Sequence, residues 1–243
     1  MMTNEKPQRD SEERTVILVV AYPGDETLFA GGQILMTPDW RWHIVSMFAG
    51  SKPDIEARFK DALNHLGATG EIIGIPENFG KPTLQLEAKP VMMRLLETHQ
   101  PDTIITHSPV GECRKLLGRD VLGRIVTQLW NDGATAVGKL WIFAYEDDNV
   151  DSAPIAADEA DRSICLMREV WNEKRNILMT SYGFSSDSFV VRTCPTEEAF
   201  YCFNHSNSFR EWKKAHVRTS NAADTKTPSG RGRRPQADGR TPQ

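Results

Sequence analysis

Two acidic residues follow directly after the first strongly apolar segment of the chain. Residues 16–21 are a continuous run of Val, Ile, Leu and Ala, and Tyr22, Gly24, Asp25 and Glu26 come next. A carboxylate at such a place can bind a metal ion, act as a general base, or stabilise the first turn of a helix. By position alone the helix-stabilising role is favoured, because acids are common in first turns.

A second set of chemically capable residues follows another apolar segment. Residues 102–107 end on His107, and Glu112 lies shortly after it. If this segment and 16–21 are parallel strands of one sheet, Asp25, His107 and Glu112 emerge at the same edge. One histidine and two carboxylates could hold a divalent cation. The alternative is a histidine that only hydrogen-bonds the neighbouring loop.

Basic side chains and a phenol are expected around the same edge. Guanidinium and ammonium groups bind phosphates and carboxylates, so this set favours a ligand that carries a phosphate or a carboxylate. The competing interpretation is that the cations lie on solvated helix surfaces. The residues are Tyr22, Arg58, Arg114, Lys115 and Arg119.

The segments that must position these groups alternate between apolar runs and helical patterns. Residues 16–21 show no period-two alternation, which is typical of a strand buried on both faces of a parallel sheet. We therefore predict an α/β fold, a Rossmann-like three-layer domain with a mostly parallel central sheet and a central first strand. Predicted strands cover 16–21, 43–48, 71–75, 102–107 and 139–145, predicted helices cover 55–66, 84–99, 119–130 and 164–179, and edge strands are predicted at 189–192 and 199–204.

Composition predicts one folded domain between two polar tails. We expect a disordered N-terminal segment at 1–14, a domain at 15–210, and a disordered basic tail at 211–243 that is rich in Pro, Gly, Ser and Thr. The N-terminal segment lacks the apolar centre of a secretory signal. The formal net charge of -4 argues against a nucleic-acid partner.

The remaining composition predicts a cytoplasmic protein. The chain has four cysteines without a C-x-x-C spacing, so we expect reduced thiols and a cytoplasmic location. We expect no membrane span, because no apolar run approaches the roughly 20 residues that a spanning helix needs. The sequence leaves the oligomeric state open.

Three stretches resemble the PIG-L/LmbE family, zinc-dependent de-N-acetylases that act on N-acetylated amino sugars. Residues 16–32 resemble the family's opening motif, a strand followed by Ala-His-Pro-Asp-Asp-Glu and a glycine pair. Residues 104–112 are similar to the strand that leads into Gly-Glu-Tyr-Gly-His, and 174–186, with Tyr182, resembles the closing Lys and Tyr segment. The matching residues of the first motif are Ala21, Pro23, Asp25, Glu26, Thr27, Leu28, Gly31 and Gly32.

The chain departs from the family within the first motif. The resemblance implies a histidine ligand, a general-base aspartate and a second aspartate ligand. These positions hold Tyr22, Gly24 and Asp25 here. Tyrosine, with a pKa near 10, is a poor substitute for neutral imidazole, and glycine cannot accept a proton.

The departures continue downstream. The family's active-site tyrosine falls at Cys113, its next histidine at Lys115 and its third zinc ligand at Gly118. A catalytic zinc typically needs three protein ligands and an open position for water. Of the ligand set that the resemblance implies, only Asp25 remains, and one carboxylate cannot hold the ion.

Two functions stay open at this point. The first is a pseudoenzyme that lacks zinc-dependent deacetylase activity and binds a sugar-like, phosphate-bearing or protein ligand without a cofactor. The second is an active hydrolase that removes the acetyl group from an N-acetylated amino sugar. Its rearranged site would hold zinc with Asp25, His107 and Glu112. A metal-independent α/β transferase that uses Asp25 and Glu26 is a more distant alternative.

Overall fold

The helices and strands alternate along most of the chain. A computed structural model describes residues 14–48, 52–76, 83–112, 117–146 and 153–224. Cys113, Arg114 and Lys115 therefore lie outside the described residues. The elements are β1 (Thr15–Val20), α1 (Asp25–Met36), β2 (Arg41–Ser46), α2 (Pro53–Leu66), β3 (Thr69–Ile72), α3 (Thr83–His99), β4 (Thr103–Thr106), α4 (Leu117–Asn131), β5 (Lys139–Phe143), β6 (Tyr145–Glu146), β7 (Ile155–Ala156), β8 (Arg162–Cys165), α5 (Arg168–Thr180), α6 (Phe189–Arg192), β9 (Glu197–Phe203) and α7 (Ser206–Asp224).

A seven-stranded, mostly parallel sheet forms the centre of the fold. Its strand order is β3-β2-β1-β4-β5-β9-β8. The first five strands pair in parallel, whereas β9 is antiparallel to both β5 and β8. This arrangement confirms the predicted α/β class and the interior position of β1.

Strand β1 is buried because it supplies both hydrophobic cores. Ile17 and Val19 belong to the core on one face of the sheet, and Val16, Leu18 and Val20 belong to the core on the other. Alternate side chains of a strand point to opposite faces, so a strand covered on both faces must be apolar throughout. Burial on both faces explains why residues 16–21 are apolar without interruption.

A buried ion pair attaches helix α1 to helix α5 and strand β9. Lys174 Nζ lies 2.6 Å from Glu198 Oε1, and both side chains are fully buried. Lys174 also donates to the carbonyl of Leu28 at 3.1 Å. Glu198 accepts from the amides of Gly32 and Gln33 at 2.7 and 2.6 Å. The pair is therefore hydrogen-bonded to the backbone of α1, which offsets part of its desolvation cost.

The glycine pair of α1 makes room for these contacts. A Cβ atom on Gly31 would lie 3.1 Å from the Lys174 side chain. One on Gly32 would lie 2.4 Å from Leu166. Larger residues at these positions would collide with the Lys174 and Leu166 side chains. Glycine is therefore needed here for the close packing of α1, and not for an unusual backbone dihedral angle.

Two segments differ from the sequence-based prediction near the end of the domain. The predicted helix at 164–179 begins only at Arg168, because residues 162–165 pair with β9 as strand β8. The predicted edge strand at 189–192 is the short helix α6, whose N-terminal Ser188 side chain accepts from the Val191 amide. Each segment has only four residues, which is too short for periodicity to separate helix from strand.

The strand predicted at 199–204 exists but does not lie at an edge. Strand β9 runs from Glu197 to Phe203 between β5 and β8, and β8 forms the edge. The sequence could not indicate this order, because the partner of a strand depends on the sheet and not on its own residues.

Helix α7 crosses the predicted start of the disordered tail. It extends from Ser206 to Asp224, beyond residue 210. The Phe209 and Trp212 rings pack on Phe203, with centroid distances of 5.3 and 5.6 Å. These aromatic residues stabilise a segment that is otherwise largely polar, and residues 225–243 lie outside the described part. No helix within the described ranges is long and apolar enough to cross a membrane.

We predict that removing the Lys174 charge destabilises the protein strongly. Lys174→Met leaves Glu198 as an unpaired buried carboxylate, and we expect a loss of about 3–5 kcal/mol in the free energy of unfolding. Combining Lys174→Met with Glu198→Gln removes that charge, so the double variant should lose less. Urea unfolding measures both values. Additive losses from the two substitutions would contradict the interpretation.

We predict that His43 makes the protein less stable in mild acid. Burial of the ring and the charge of His99, whose ring stacks at 3.7 Å, lower the pKa of His43, and Glu71 only partly opposes them. The neutral form is favoured on folding. The resulting stabilisation is complete above the ordinary pKa of 6.5 and is lost as the pH falls toward the lowered folded-state pKa.

Urea unfolding as the pH falls from neutral through this range should show a smaller loss of stability for His43→Gln than for the native protein. The exposed His205→Gln serves as the control and should follow the native protein. Identical pH slopes for all three proteins would contradict the prediction.

Candidate functional site

The carboxyl ends of β1 and β4 bring the predicted residues together. These strands are parallel neighbours, with Val19 beside Thr106. The segment after β1 therefore lies next to His107, and His107 Nε2 lies 3.4 Å from Asp25 Oδ2. On its other side, His107 Nδ1 lies 3.0 Å from Glu112 Oε1. Asp25, His107 and Glu112 form one buried row.

The turn after β1 has a fixed backbone geometry. Gly24 has a φ of 101°, in the left-handed region that favours glycine. The Asp25 amide donates to the Tyr22 carbonyl at 3.1 Å, and the Tyr22 amide donates to Asp25 Oδ2 at 3.2 Å. Gly24 therefore allows the tight turn between β1 and α1. It occupies the position at which the family resemblance implies a general base.

Arg119 forms an ion pair with Asp25. Its Nη2 lies 2.5 Å from Asp25 Oδ1, and its Nε donates to Oδ2 at 3.2 Å. Both side chains are buried. Burial alone would raise the pKa of Asp25, but the charges of Arg119 and His107 outweigh it and lower the pKa to about 2. Asp25 is thus a carboxylate with both oxygens bound by the chain itself.

Glu112 holds His107 and the loop that follows it. Besides contacting Nδ1, Glu112 Oε1 accepts from the Ser108 amide at 2.8 Å. Burial opposes a charge on His107, but Glu112 and Asp25 outweigh burial and raise the pKa of His107 to about 9. This favours the imidazolium form at neutral pH.

One contact of His107 favours the neutral ring instead. The Ala21 amide donates to Nε2 at 3.0 Å, which requires a lone pair on that nitrogen. The net charge of the site nevertheless favours the protonated form of His107. With His107 charged, two cations, His107 and Arg119, offset the carboxylates of Asp25 and Glu112, whereas a neutral ring leaves a net negative charge in a buried site.

Glu26 does not belong to this row. Its side chain is fully buried and accepts from the Gly24 amide at 2.8 Å and from the Tyr182 hydroxyl at 2.7 Å. Burial raises the pKa of Glu26, and burial with the neighbouring Glu26 charge raises the pKa of Tyr182 well above its usual value. Glu26 links the turn to the loop after α5.

The remaining predicted residues make other contacts or lie outside the described ranges. Arg58 is exposed and donates to the Tyr182 carbonyl. Tyr22 is half-buried, and its ring lies 6.0 Å from that of Phe48. Gly118 lies in the first turn of α4 and offers no ligand atom. The predicted site positions Cys113 and Lys115 fall outside the described ranges.

The described residues do not fit a catalytic zinc ion. Both oxygens of Asp25 contact Arg119, and Glu112 contacts His107 and the Ser108 amide. Neither nitrogen of His107 offers a free lone pair, because Nδ1 faces Glu112 and Nε2 faces the Ala21 amide. Within the described ranges, no three His, Cys, Asp or Glu side chains are grouped to hold a metal ion.

Comparison with known proteins finds similarity in structure but not in sequence. No family model and no curated protein matches the chain. N,N'-diacetylchitobiose deacetylase from Pyrococcus horikoshii is similar in structure, with a TM-score of 0.61 at 11% identity over 79% of this chain and 85% of that chain. A deacetylase of teicoplanin biosynthesis gives 0.56 at 10% identity over 73% and 89%.

A protein with a different activity shares the fold as well. GalB, the 4-carboxy-2-hydroxymuconate hydratase from Pseudomonas putida KT2440, gives a TM-score of 0.53 at 13% identity over 94% of this chain and 100% of that chain. At these identities the similarity establishes the fold, which is a deacetylase-like α/β fold. The activity has to be argued from the residues of the site.

We predict that stability falls as His107 loses its proton. Because the pKa of His107 is raised from 6.5 to about 9, its stabilisation is complete below pH 6.5 and is lost as the pH rises toward 9. The free energy of unfolding should fall by at most about 1.4 kcal/mol per pH unit in this range. His107→Gln should show a smaller fall in urea unfolding. If the free energy of unfolding of His107→Gln falls with pH as steeply as that of the native protein, His107 is neutral throughout this pH range and the prediction is wrong.

Proposed function

We propose that this protein binds a sugar-like or phosphate-bearing ligand at the carboxyl edge of its sheet and does not hydrolyse amides by zinc chemistry. The observation that carries the proposal is the ion pair of Asp25 with Arg119. Asp25 is the one residue that retains a ligand position of the family motif, and both of its oxygens are occupied by a guanidinium.

The chemistry of amide hydrolysis supports the absence of zinc-dependent activity. Zinc would supply a water molecule with a lowered pKa, and a general base would take its proton. The position implied for the base holds Gly24. Glu26 is bound within the core by Tyr182, and His107 is held between Asp25 and Glu112. These acid-base groups are therefore engaged in structural contacts.

Arg58 supports a binding function at the same edge. One of its nitrogens, Nη1, donates to the Tyr182 carbonyl, which fixes the orientation of the guanidinium. The side chain is exposed, so other N–H groups remain available to a ligand. The Phe184 ring, close to Tyr182 in the chain, lies 3.8 Å from where a Cβ of Gly24 would be. Arg58 is thus held against the segment 182–184, whose Phe184 ring reaches the turn after β1. An oriented guanidinium suits phosphate and carboxylate groups.

We predict no acetate release from N-acetylglucosamine or N,N'-diacetylchitobiose, with or without added Zn²⁺. The native protein should match Asp25→Asn in a coupled acetate assay, because Asp25 is not available to a metal ion. Chelator-sensitive release that is lost in Asp25→Asn would overturn the proposal. That outcome would establish the alternative function, an active N-acetyl sugar deacetylase with a rearranged metal site.

We predict that Arg58 contributes to binding of phosphorylated sugars. Isothermal titration with glucosamine 6-phosphate and N-acetylglucosamine 1-phosphate should give a dissociation constant about tenfold or more weaker for Arg58→Gln, since a hydrogen bond to a charged group contributes about 1.5–3 kcal/mol. Arg94→Gln, on the exposed side of α3, is the control and should bind as the native protein does. Equal affinities for Arg58→Gln and the native protein would refute the binding role.

A further inference from the structure

We propose that the guanidinium of Arg119 takes the place of the metal ion at this edge, so that the chain carries its own cation where the family resemblance implies zinc. The inference deepens the proposed function and rests on it. It explains why Asp25 is present although the other implied ligand positions are replaced.

The geometry of the pair is that of a cation bound by a carboxylate. Arg119 Nη2 and Nε contact different oxygens of Asp25, at 2.5 and 3.2 Å. Two contacts fix the plane of the guanidinium relative to the carboxylate as well as its distance. The centre of the guanidinium also lies 4.8 Å from the centroid of the Phe29 ring, which favours a positive charge there.

The charges around Asp25 require such a cation. Within the described residues, the other cationic group in contact with Asp25 is His107, which is also paired with Glu112. Without Arg119, the buried carboxylates of Asp25 and Glu112 would share the single side chain of His107. A buried carboxylate without a partner is costly, and either a metal ion or a guanidinium can offset its charge.

Close packing of α4 against the end of β4 brings Arg119 to this place. A Cβ atom on Gly123 would lie 2.6 Å from the carbonyl oxygen of His107 and 2.7 Å from that of Ser108. Gly123 lies one helical turn after Arg119, so the glycine sets how closely this part of α4 approaches the strand. The residue type at 123 thus helps to place the cation beside Asp25.

The presence of the guanidinium excludes a metal ion from the same oxygens. A divalent ion would have to displace both contacts of Arg119 and would meet its positive charge at short range. Unlike a metal ion, a guanidinium has no open coordination position at which water could be activated. The substitution therefore retains the electrostatic role of the ion and removes its catalytic role.

The test compares four variants of the full chain by thermal unfolding in chelator, in guanidinium chloride and in a few-fold excess of Zn²⁺. Arg119→Ala should lower the unfolding midpoint by roughly 5–15 °C in chelator, because Asp25 is left unpaired. Arg119→Lys keeps a charge and should lose less. The double variant Arg119→Ala with Asp25→Asn removes the unpaired charge and should recover part of the loss, whereas Asp25→Asn alone serves as its reference.

The response to added cations separates the role of the Arg119 charge from simple packing. Guanidinium chloride at a low millimolar, non-denaturing concentration should raise the midpoint of Arg119→Ala and leave the double variant unchanged, whereas Zn²⁺ should leave the native protein unchanged because Arg119 holds both oxygens of Asp25. The inference is overturned if Arg119→Ala and the double variant respond equally to guanidinium, or if the native protein is stabilised by Zn²⁺. Acetate release by the native protein instead refutes the proposed function, so the two failures are distinguishable.

Discussion

The close approach of α1 to α5 and β9 is the constraint on which the candidate site depends. It exists because Gly31 and Gly32 carry no side chains, so that the buried Lys174–Glu198 pair reaches the backbone of α1. A charged pair in a core is stable only when its remaining hydrogen-bonding groups find partners, and here the helix backbone provides them. The position of α1 fixed in this way determines where Asp25, at its first turn, meets β4.

A second close approach completes the edge of the sheet. Gly123 allows α4 to pack against the carbonyl groups after β4, and Arg119 reaches Asp25 from that helix. Helix α1, which follows β1, thus contributes the carboxylate of this buried contact, and helix α4, which follows β4, contributes the guanidinium. Within the described residues, Arg119 pairs with Asp25, and His107 contacts both Asp25 and Glu112, so the two acids of this row are bound by other groups of the chain.

The comparisons place this arrangement in a fold that hosts more than one chemistry. Similar structures include deacetylases and a hydratase, so the fold by itself does not select a reaction. The function therefore has to be argued from the side chains at the sheet edge of this chain. Arg58 is exposed and oriented, whereas Asp25, His107 and Glu26 are occupied by contacts within the protein.

The α/β class, the interior first strand and the segments that end at the candidate site can be predicted from the sequence, because burial on both faces and helical periodicity are local patterns. The sequence also predicted that Asp25, His107 and Glu112 converge, since parallel strands place their carboxyl ends at one edge of the sheet. Other features became visible only in the folded protein: Arg119 binds Asp25, Glu26 turns into the core, β9 lies inside the sheet and α7 extends past residue 210. They depend on which particular residues of distant elements meet, and the local pattern of residue types does not encode that choice.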